Sequence, residues 1–256
     1  MKQRLISAAV AIAICIYPLL FGGISLKILL LFIGCVASYE FVKCIKKEVD
    51  YRLLIVMIIA FLLLFLDADR FLLTAIFGEL IVLFIFAIYD EKITINDVFS
   101  ISIMTFIFGI CISYVFKMYE NGFGKLFFYI LLASLLCDSG AYFVGRKFGK
   151  HKLNERVSPK KTIEGSLGGI IFGFIFSFVF AYFSNFMGLP VYFVIICSLF
   201  LPIISEIGDL AFSLIKRFYG IKDFGNIMPG HGGVLDRIDS VIFCLLFFIA
   251  LSNLLL

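Results

Sequence analysis

Long runs of apolar residues alternate with short polar segments along the whole chain. A helix needs about 20 residues to cross the roughly 30 Å hydrocarbon core of a bilayer. The runs that approach this length cover residues 5–21, 26–42, 51–66, 71–89, 98–116, 126–145, 163–183, 190–210 and 234–254. The third run is short, so a re-entrant segment is its alternative. The pattern predicts an all-α, polytopic integral membrane protein with about nine transmembrane helices.

The composition excludes the soluble classes of protein. Apolar residues make up 62% of the 256 residues and charged residues 16%, and the mean hydropathy is +1.12. Soluble domains average about 45–50% apolar and about 25% charged residues, and a globule of this length has too little interior for so much apolar surface. Seven cysteines without a C-x-x-C pair and two histidines argue against a zinc site or a disulfide framework.

The placement of lysine and arginine predicts the orientation. With nine crossings and a cytoplasmic N-terminus, 18 of the 22 basic residues lie on the cytoplasmic side. If the third run does not cross, every later loop inverts and only 9 of the 22 remain there. Because cytoplasmic loops are enriched in Lys and Arg, nine spans are favoured. The polar segments 146–162 and 211–237 then both face the cytoplasm, the side that supplies nucleotides and magnesium.

The two halves of the chain differ in character. Residues 1–125 consist of plain hydrophobic helices with short connections, which predicts a scaffold that contacts lipid or a second copy in a homodimer. Residues 126–256 carry nearly all the charges that lie within or beside apolar runs, which predicts a catalytic region with a polar centre facing the cytoplasm. Glu79, in the middle of the fourth run, has no assigned role.

The eighth run ends in a polar stripe. At about 100° per residue, Glu206, Asp209, Ser213, Lys216 and Arg217 share an arc of about 100° on one helix face. Ionisable groups inside a span are costly and therefore indicate function. The alternative is a polar seam between helices whose basic ends reach the membrane surface, and Glu206 is given no role of its own.

A glycine-rich segment follows this stripe. Its chemically distinctive residues are Lys222, Asp223, His231, Gly232, Gly233, Asp236, Arg237 and Asp239. Glycines let backbone N–H groups approach a ligand closely, and the ninth run begins here, so its N-terminus favours anions. The alternative for Asp236 and Asp239 is ordinary helix capping.

Together these residues suit phosphate chemistry. Asp209 and Asp236 can supply the hard oxygen ligands that Mg²⁺ prefers alongside substrate phosphates. The basic residues can neutralise phosphate oxygens; they are Lys216, Arg217, Lys222 and Arg237. The combination indicates phosphoryl or nucleotidyl transfer on a lipid.

Two further features flank the sixth and seventh runs. Asp138 and Tyr142 share one face near the end of the sixth run. The basic segment 146–162 ends in Ser158, Pro159, Lys160, Lys161 and Thr162, and Glu164 follows; this turn presents cations and hydroxyls in front of a helix. The alternatives are a local hydrogen bond for Asp138 and simple attraction to anionic lipid for the basic segment.

These segments resemble the phosphatidate cytidylyltransferase (CDP-diacylglycerol synthase) family. The resemblance is strong over residues 130–240 and rests on Ser213-x-x-Lys216-Arg217, Lys222-Asp223, Pro229-x-His231-Gly-Gly-x-x-Asp236-Arg237-x-Asp239, Asp138 to Tyr142, Ser158 to Gly165, and Gly208-Asp209. Ile163 stands where Trp is usual, Phe212 where Glu commonly precedes the serine, and Met228 where a branched residue is usual.

The resemblance implies a reaction and a set of roles. CTP and phosphatidate would give CDP-diacylglycerol and pyrophosphate at the cytoplasmic face of the cell membrane, with one or two Mg²⁺ ions and a monovalent cation as a further candidate. Asp209 and Asp236 would hold the metal, and the four basic residues named above would be catalytic. The remaining site residues would bind substrate; they are Ser213, Asp223, His231, Gly232, Gly233, Asp239, Asp138, Tyr142, Ser158, Lys160, Lys161, Thr162 and Glu164.

Rival functions remain in view. The nearest is cytidylyl transfer to, or CTP-dependent phosphorylation of, another membrane lipid. A secondary transporter would more often show paired broken helices in two matching halves, which the chain lacks. No nucleic-acid partner is expected.

Overall fold

The computed structural model describes residues 2–227, 230 and 232–256, with side chains described from residue 10 onward. The described residues form nine α-helices, one short 3-10 helix (Asn185–Gly188) and one two-stranded antiparallel hairpin. The helices are α1 (Lys2–Phe21), α2 (Gly23–Lys46), α3 (Tyr51–Leu66), α4 (Ala68–Tyr89), α5 (Ile95–Glu120), α6 (Gly124–Phe148), α7 (Ile163–Phe183), α8 (Val191–Phe218) and α9 (Leu235–Leu255). The strands are β1 (Lys152–Asn154) and β2 (Ser158–Thr162).

Each apolar run of the sequence forms a helix, which confirms the prediction of an all-α, polytopic membrane protein. Among the described residues, seven helices are long and apolar enough to cross a membrane: α2 and α4 to α9. The apolar part of α1 (Val10–Phe21) and the whole of α3 are shorter. With 16 residues, α3 is about 24 Å long, less than the hydrocarbon thickness. The crossing of α3 and the orientation that depends on it stay predictions.

The chain packs as two compact units. The first comprises Met1–Gly122 and Asp223–Arg237, and the second comprises Phe123–Lys222 and Ile238–Leu256. The glycine-rich segment therefore belongs to the unit of the N-terminal helices, although α8, which precedes it, belongs to the other. The assignment of a scaffold role to 1–125 and a catalytic role to 126–256 stays a prediction.

The first unit is built from aliphatic and aromatic side chains around α3. Leu53, Met57 and Leu64 are fully buried, and α3 packs against both α4 and α5. One polar pair lies within this core: Thr105 of α5 donates a hydrogen bond of 2.7 Å to the buried carboxyl group of Glu79 in α4. A buried polar group needs such a partner, so Glu79 has a structural explanation.

In the second unit, glycines bring α6 and α7 into close contact. A Cβ atom on Gly169 would lie 2.6 Å from the carbonyl oxygen of Cys137, and one on Gly165 would lie 2.8 Å from that of Ala141. Only glycine allows such backbone approach, as is common between membrane helices. The contact places the start of α7, and the hairpin that precedes it, beside the end of α6.

Candidate active site

Lys161 is held between two carboxylates in the second unit. Its Nζ donates a hydrogen bond of 2.8 Å to Oε2 of Glu206 and lies 2.7 Å from Oδ2 of Asp209. Glu206 and Asp209 are about one turn apart on α8, and Lys161 is the residue before the last in β2. The hairpin therefore brings a cation to the polar stripe of α8.

Two more acidic residues approach this ion pair. Asp138 of α6 interacts electrostatically with Lys161, Asp209 and Glu206, and Asp239 of α9 interacts with Asp209 and with Lys216 of α8. Among the described residues, four carboxyl groups thus gather around two lysines. Like charges in a partly buried site repel each other unless a cation balances them, so the cluster is suited to take up additional positive charge.

The protonation state of Lys161 follows from this environment. Burial lowers the pKa of its ammonium group, but the adjacent carboxylates of Asp209 and Glu206 raise the pKa by more, so the net pKa lies above the ordinary value for lysine. The side chain of Lys161 is 19% exposed. It therefore carries a positive charge across the physiological pH range.

A cavity of about 380 Å³ opens beside the ion pair. Its lining consists of Asp138, Ala141, Tyr142, Gly145, Arg146, Lys160, Lys161, Thr162, Gly165, Ser166 and Glu206. The guanidinium group of Arg146 donates a hydrogen bond of 3.2 Å to the hydroxyl of Tyr142. Cations and carboxylates share these walls, an arrangement suited to a polyanionic ligand that brings a metal ion.

Several predicted site residues converge here. The cavity or the charge cluster contains Asp138, Tyr142, Lys160, Lys161, Thr162, Asp209, Lys216 and Asp239. Thr162 also begins α7, because its hydroxyl accepts a hydrogen bond of 3.2 Å from the N–H of Gly165. Ser213 lies buried on α8, one turn beyond Asp209.

Two charged residues that line the cavity, Glu206 and Arg146, are not among the predicted site residues. The signal for Glu206 is its position on the polar stripe of α8. Arg146 belongs to the basic segment 146–162, for which attraction to anionic lipid is the alternative. Both became recognisable only when α6, β2 and α8 came together, because their partners lie far away in the chain.

Glu164 and Ser158 have other contacts. The carboxylate of Glu164 accepts hydrogen bonds from the backbone N–H groups of Lys150 and His151, and it lies 2.6 Å from Nδ1 of His151. It thereby joins the start of the hairpin to the start of α7. Ser158 pairs with Asn154 in the hairpin. Neither lines the cavity, and substrate binding by both stays a prediction.

The glycine-rich segment is organised by Asp236. Its Oδ2 accepts hydrogen bonds from the N–H groups of Phe224 (2.9 Å) and Gly233 (3.0 Å). Gly232 adopts a left-handed backbone with a φ of 87°, which explains a glycine at that position. His231, with Met228 and Pro229, lies outside the described residues.

The remaining predicted residues of this region are accessible. Arg217, Lys222, Asp223 and Arg237 are exposed. The guanidinium group of Arg217 donates a hydrogen bond of 3.0 Å to the carbonyl oxygen of Ile221. These side chains could meet anionic ligands from solvent, and their catalytic or binding roles stay predictions.

The start of α9 differs from the expectation of an open anion site. The carboxylate of Glu40 accepts hydrogen bonds from the N–H groups of Val234 (3.0 Å) and Leu235 (2.8 Å). Asp236 accepts the N–H group of Gly233. The N–H groups at and just before the helix start are thus bound by carboxylates of the protein itself. A phosphate near this segment would have to be held mainly by side chains.

The acidic side chains around Asp209 suit a magnesium ion that is bound jointly by the protein and by substrate phosphates. Among the described residues, no three His, Cys, Asp or Glu side chains form a ready-made metal site. Mg²⁺ is commonly bound by one or two carboxylates, with waters and phosphate oxygens in the other positions. Asp209 suits this role, being 27% exposed within an acidic cluster. Asp236 belongs to the other unit, and its metal binding stays a prediction.

Comparison with known proteins gives a consistent result. A sequence model described as the Cytidylyltransferase family matches residues 2–255. The chain is 32% identical over 258 residues to a phosphatidate cytidylyltransferase of Bacillus subtilis (strain 168), covering 96% of each chain. It is 40% identical over 137 residues to one of Staphylococcus haemolyticus (strain JCSC1435) and 43% identical over 136 residues to one of Staphylococcus aureus (strain COL). Those alignments cover 54% and 48% of this chain and 52% of each relative.

Proposed function

Because this chain belongs to the cytidylyltransferase family, we propose that it transfers the cytidylyl group of CTP to phosphatidate, giving CDP-diacylglycerol and pyrophosphate. The relative that covers almost the whole chain has this activity in its name. The observation that supports the reaction best is the cation Lys161, held between Glu206 and Asp209 beside a cavity with further cations. That arrangement suits two phosphate-bearing substrates at a membrane.

The chemistry needs charge neutralisation more than a base. An oxygen of the phosphatidate phosphate, already anionic at neutral pH, would form a bond to the α-phosphorus of CTP. The bond from that phosphorus to the β-phosphate oxygen would break, and pyrophosphate would leave with the electron pair. The barrier then lies mainly in bringing two anions together in line. Arg146, Lys160 and Lys161 can lower this repulsion from the cavity walls.

Magnesium fits the acidic side of the same cluster. Asp209 is the candidate ligand that the geometry supports best, and Asp236 is the second ligand that the resemblance implies. When bound, the ion would neutralise charge on the nucleotide phosphates. Asp138 and Asp239 interact electrostatically with Asp209, so a divalent cation near Asp209 would relieve the repulsion among these carboxyl groups.

The decisive experiment is a product assay on purified protein in detergent. CTP, Mg²⁺ and phosphatidate are expected to give pyrophosphate and a CDP-lipid in equal amounts, and diacylglycerol in place of phosphatidate is expected to give neither. Release of CDP would indicate a kinase. Turnover only with a different lipid phosphate would replace the proposed acceptor.

The variant Asp209→Asn tests the metal assignment. We expect Mg²⁺-dependent turnover to fall about 100-fold or more. The variant would lose a charged oxygen ligand for the ion, and with the ion it would lose the charge that neutralises the nucleotide phosphates. Asp69→Asn is the matched control: its side chain is 89% exposed and pairs with Lys117, so it should leave turnover unchanged. Wild-type magnesium dependence in Asp209→Asn would refute the assignment.

A further inference from the structure

Glu40 is a buried carboxylate whose hydrogen-bond partners are 194 and 195 residues away in the sequence. It is 1% exposed and lies near the cytoplasmic end of α2 in the predicted topology. Its two carboxylate oxygens accept one backbone N–H each, Oε1 from Val234 at 3.0 Å and Oε2 from Leu235 at 2.8 Å. Carboxylates make strong hydrogen bonds to N–H groups at a helix start, so this contact ties α2 to the start of α9.

Two glycines make room for this carboxylate. A Cβ atom on Gly233 would lie 2.5 Å from both carboxylate oxygens of Glu40, and one on Gly225 would overlap Oε1. Neither glycine has a left-handed φ. Close approach to Glu40, and not backbone conformation, therefore accounts for glycine at both positions.

Asp236 binds the same segment from within. Its Oδ2 accepts the N–H groups of Phe224 and Gly233, while Glu40 takes the next two N–H groups along the chain. These two hydrogen bonds of Asp236 stay within the segment, whereas those of Glu40 join the segment to α2.

We propose that Glu40 is a positioning residue that holds the segment 223–237 in the conformation needed for turnover. This inference rests on the proposed function, because the segment contains residues that the family resemblance assigns to substrate phosphates. Glu40 acts through the backbone of the segment and does not itself contact substrate. It also keeps phosphate away from the N–H groups of Val234 and Leu235, so the anion is left to the side chains.

The test compares Glu40→Gln and Glu40→Ala with a matched control, Glu79→Gln. Glu79 is also a buried carboxyl group of the first unit, 4% exposed, but its hydrogen-bond partner is Thr105 of α5 and not the backbone of the segment. Gln keeps the shape of Glu40 while turning an NH₂ group toward one of the two N–H donors. Glu40→Ala removes both acceptors.

The first readout is independent of activity. Hydrogen–deuterium exchange of the segment 223–237, measured without substrates in detergent, should be about tenfold faster or more in both Glu40 variants, as expected for the loss of a charge-assisted hydrogen bond. Exchange elsewhere in the first unit should stay as in wild type, and Glu79→Gln should leave the segment unchanged. Unchanged exchange of the segment in Glu40→Ala would overturn the proposal, even if the wild type has a different substrate.

The second readout is kinetic. A displaced segment should lower kcat/KM by about 10- to 100-fold, as small misplacements of binding groups do, and the KM for CTP should rise more than the KM for phosphatidate. Glu40→Asp, whose shorter side chain reaches one N–H group, should fall between Glu40→Ala and wild type. Faster exchange with wild-type kinetics would refute the positioning role while leaving the proposed reaction intact.

Discussion

At the level of single residues, Lys161 joins β2 to two carboxylates of α8. It neutralises two carboxylates on α8 whose charges would otherwise face each other across one helical turn. Glu206 is 5% exposed, and a buried carboxylate is costly without a cation beside it. The same ammonium group borders the cavity, so its structural and chemical roles cannot be separated by one substitution.

We therefore predict different outcomes for single and double variants of Lys161. Lys161→Met should lower the free energy of unfolding by on the order of 3 kcal/mol, because it leaves buried charge uncompensated, and it should abolish turnover. Adding Glu206→Gln should restore part of the stability but none of the activity. Lys152→Met, on the exposed face of the same hairpin, is the control. Thermal unfolding in detergent and the pyrophosphate assay measure the two effects, and full activity in Lys161→Met would contradict the role.

The raised pKa of Lys161 predicts how its contribution varies with pH. A lysine whose pKa is higher in the folded than in the unfolded state stabilises the fold fully below its unfolded pKa, about 10.4. This stabilisation is lost only as the pH rises through the higher, folded value. The difference in melting temperature between wild type and Lys161→Met should therefore be equal at about pH 6.5 and pH 9. A difference that shrinks clearly by pH 9 would show that Lys161 titrates earlier.

At the scale of elements, the approach of α6 to α7 sets the geometry of the cavity. The cavity takes Asp138, Tyr142 and Arg146 from α6, and it takes the end of β2 and the first turn of α7 from the other side. Glycines at the contact determine the distance between these two walls. The site is thus sensitive to helix packing at positions that touch no ligand.

We predict that Gly169→Ala disrupts this site from a distance. Its Cβ would lie 2.6 Å from the carbonyl oxygen of Cys137 and 3.0 Å from the Cβ of Ala141, so the helices must separate at a cost of about 1–3 kcal/mol. Turnover should fall along with the melting temperature. Gly78→Ala in α4 is the control, because nothing lies within 4 Å of its Cβ position. Equal effects of the two substitutions would argue against close packing as the cause.

At the level of the whole molecule, the side of the membrane that each loop faces determines whether CTP can reach the site. The number of membrane crossings depends on whether α3, a helix of 16 residues, spans the bilayer. If α3 crosses, the hairpin of β1 and β2 lies in the cytoplasm, where CTP is made available. If it does not, the later loops invert and the proposed reaction loses its nucleotide supply.

Accessibility to a membrane-impermeant thiol reagent tests this orientation. In a background without native cysteines, Asp69→Cys should react in intact cells, whereas Glu48→Cys and Lys152→Cys should react only in inverted vesicles. Glu48 and Asp69 bracket α3, so opposite accessibility of the two shows that it crosses. Reaction of both on the same side would contradict nine spans.

Local patterns in the sequence specify the helices and indicate the class of chemistry. Apolar runs of near-spanning length specify helices because lipid leaves backbone groups no other partner, and this held for every run from α1 to α9. The polar stripe of α8 was also predictable, because Glu206, Asp209 and Lys216 are related by the 3.6-residue period of one helix. Signals of this kind are local.

Which charges meet follows from long-range packing and not from any local pattern. Lys161 and Glu206 are 45 residues apart, and Glu40 and Leu235 are 195 apart. No periodicity links such positions, since their proximity follows from how whole helices pack. The same packing places the carboxylate of Glu40 against the N–H groups at the start of α9. Local rules predicted an open anion site there. Helix packing, including the close approach of α6 and α7 at their glycines, therefore determined which polar groups line the cavity.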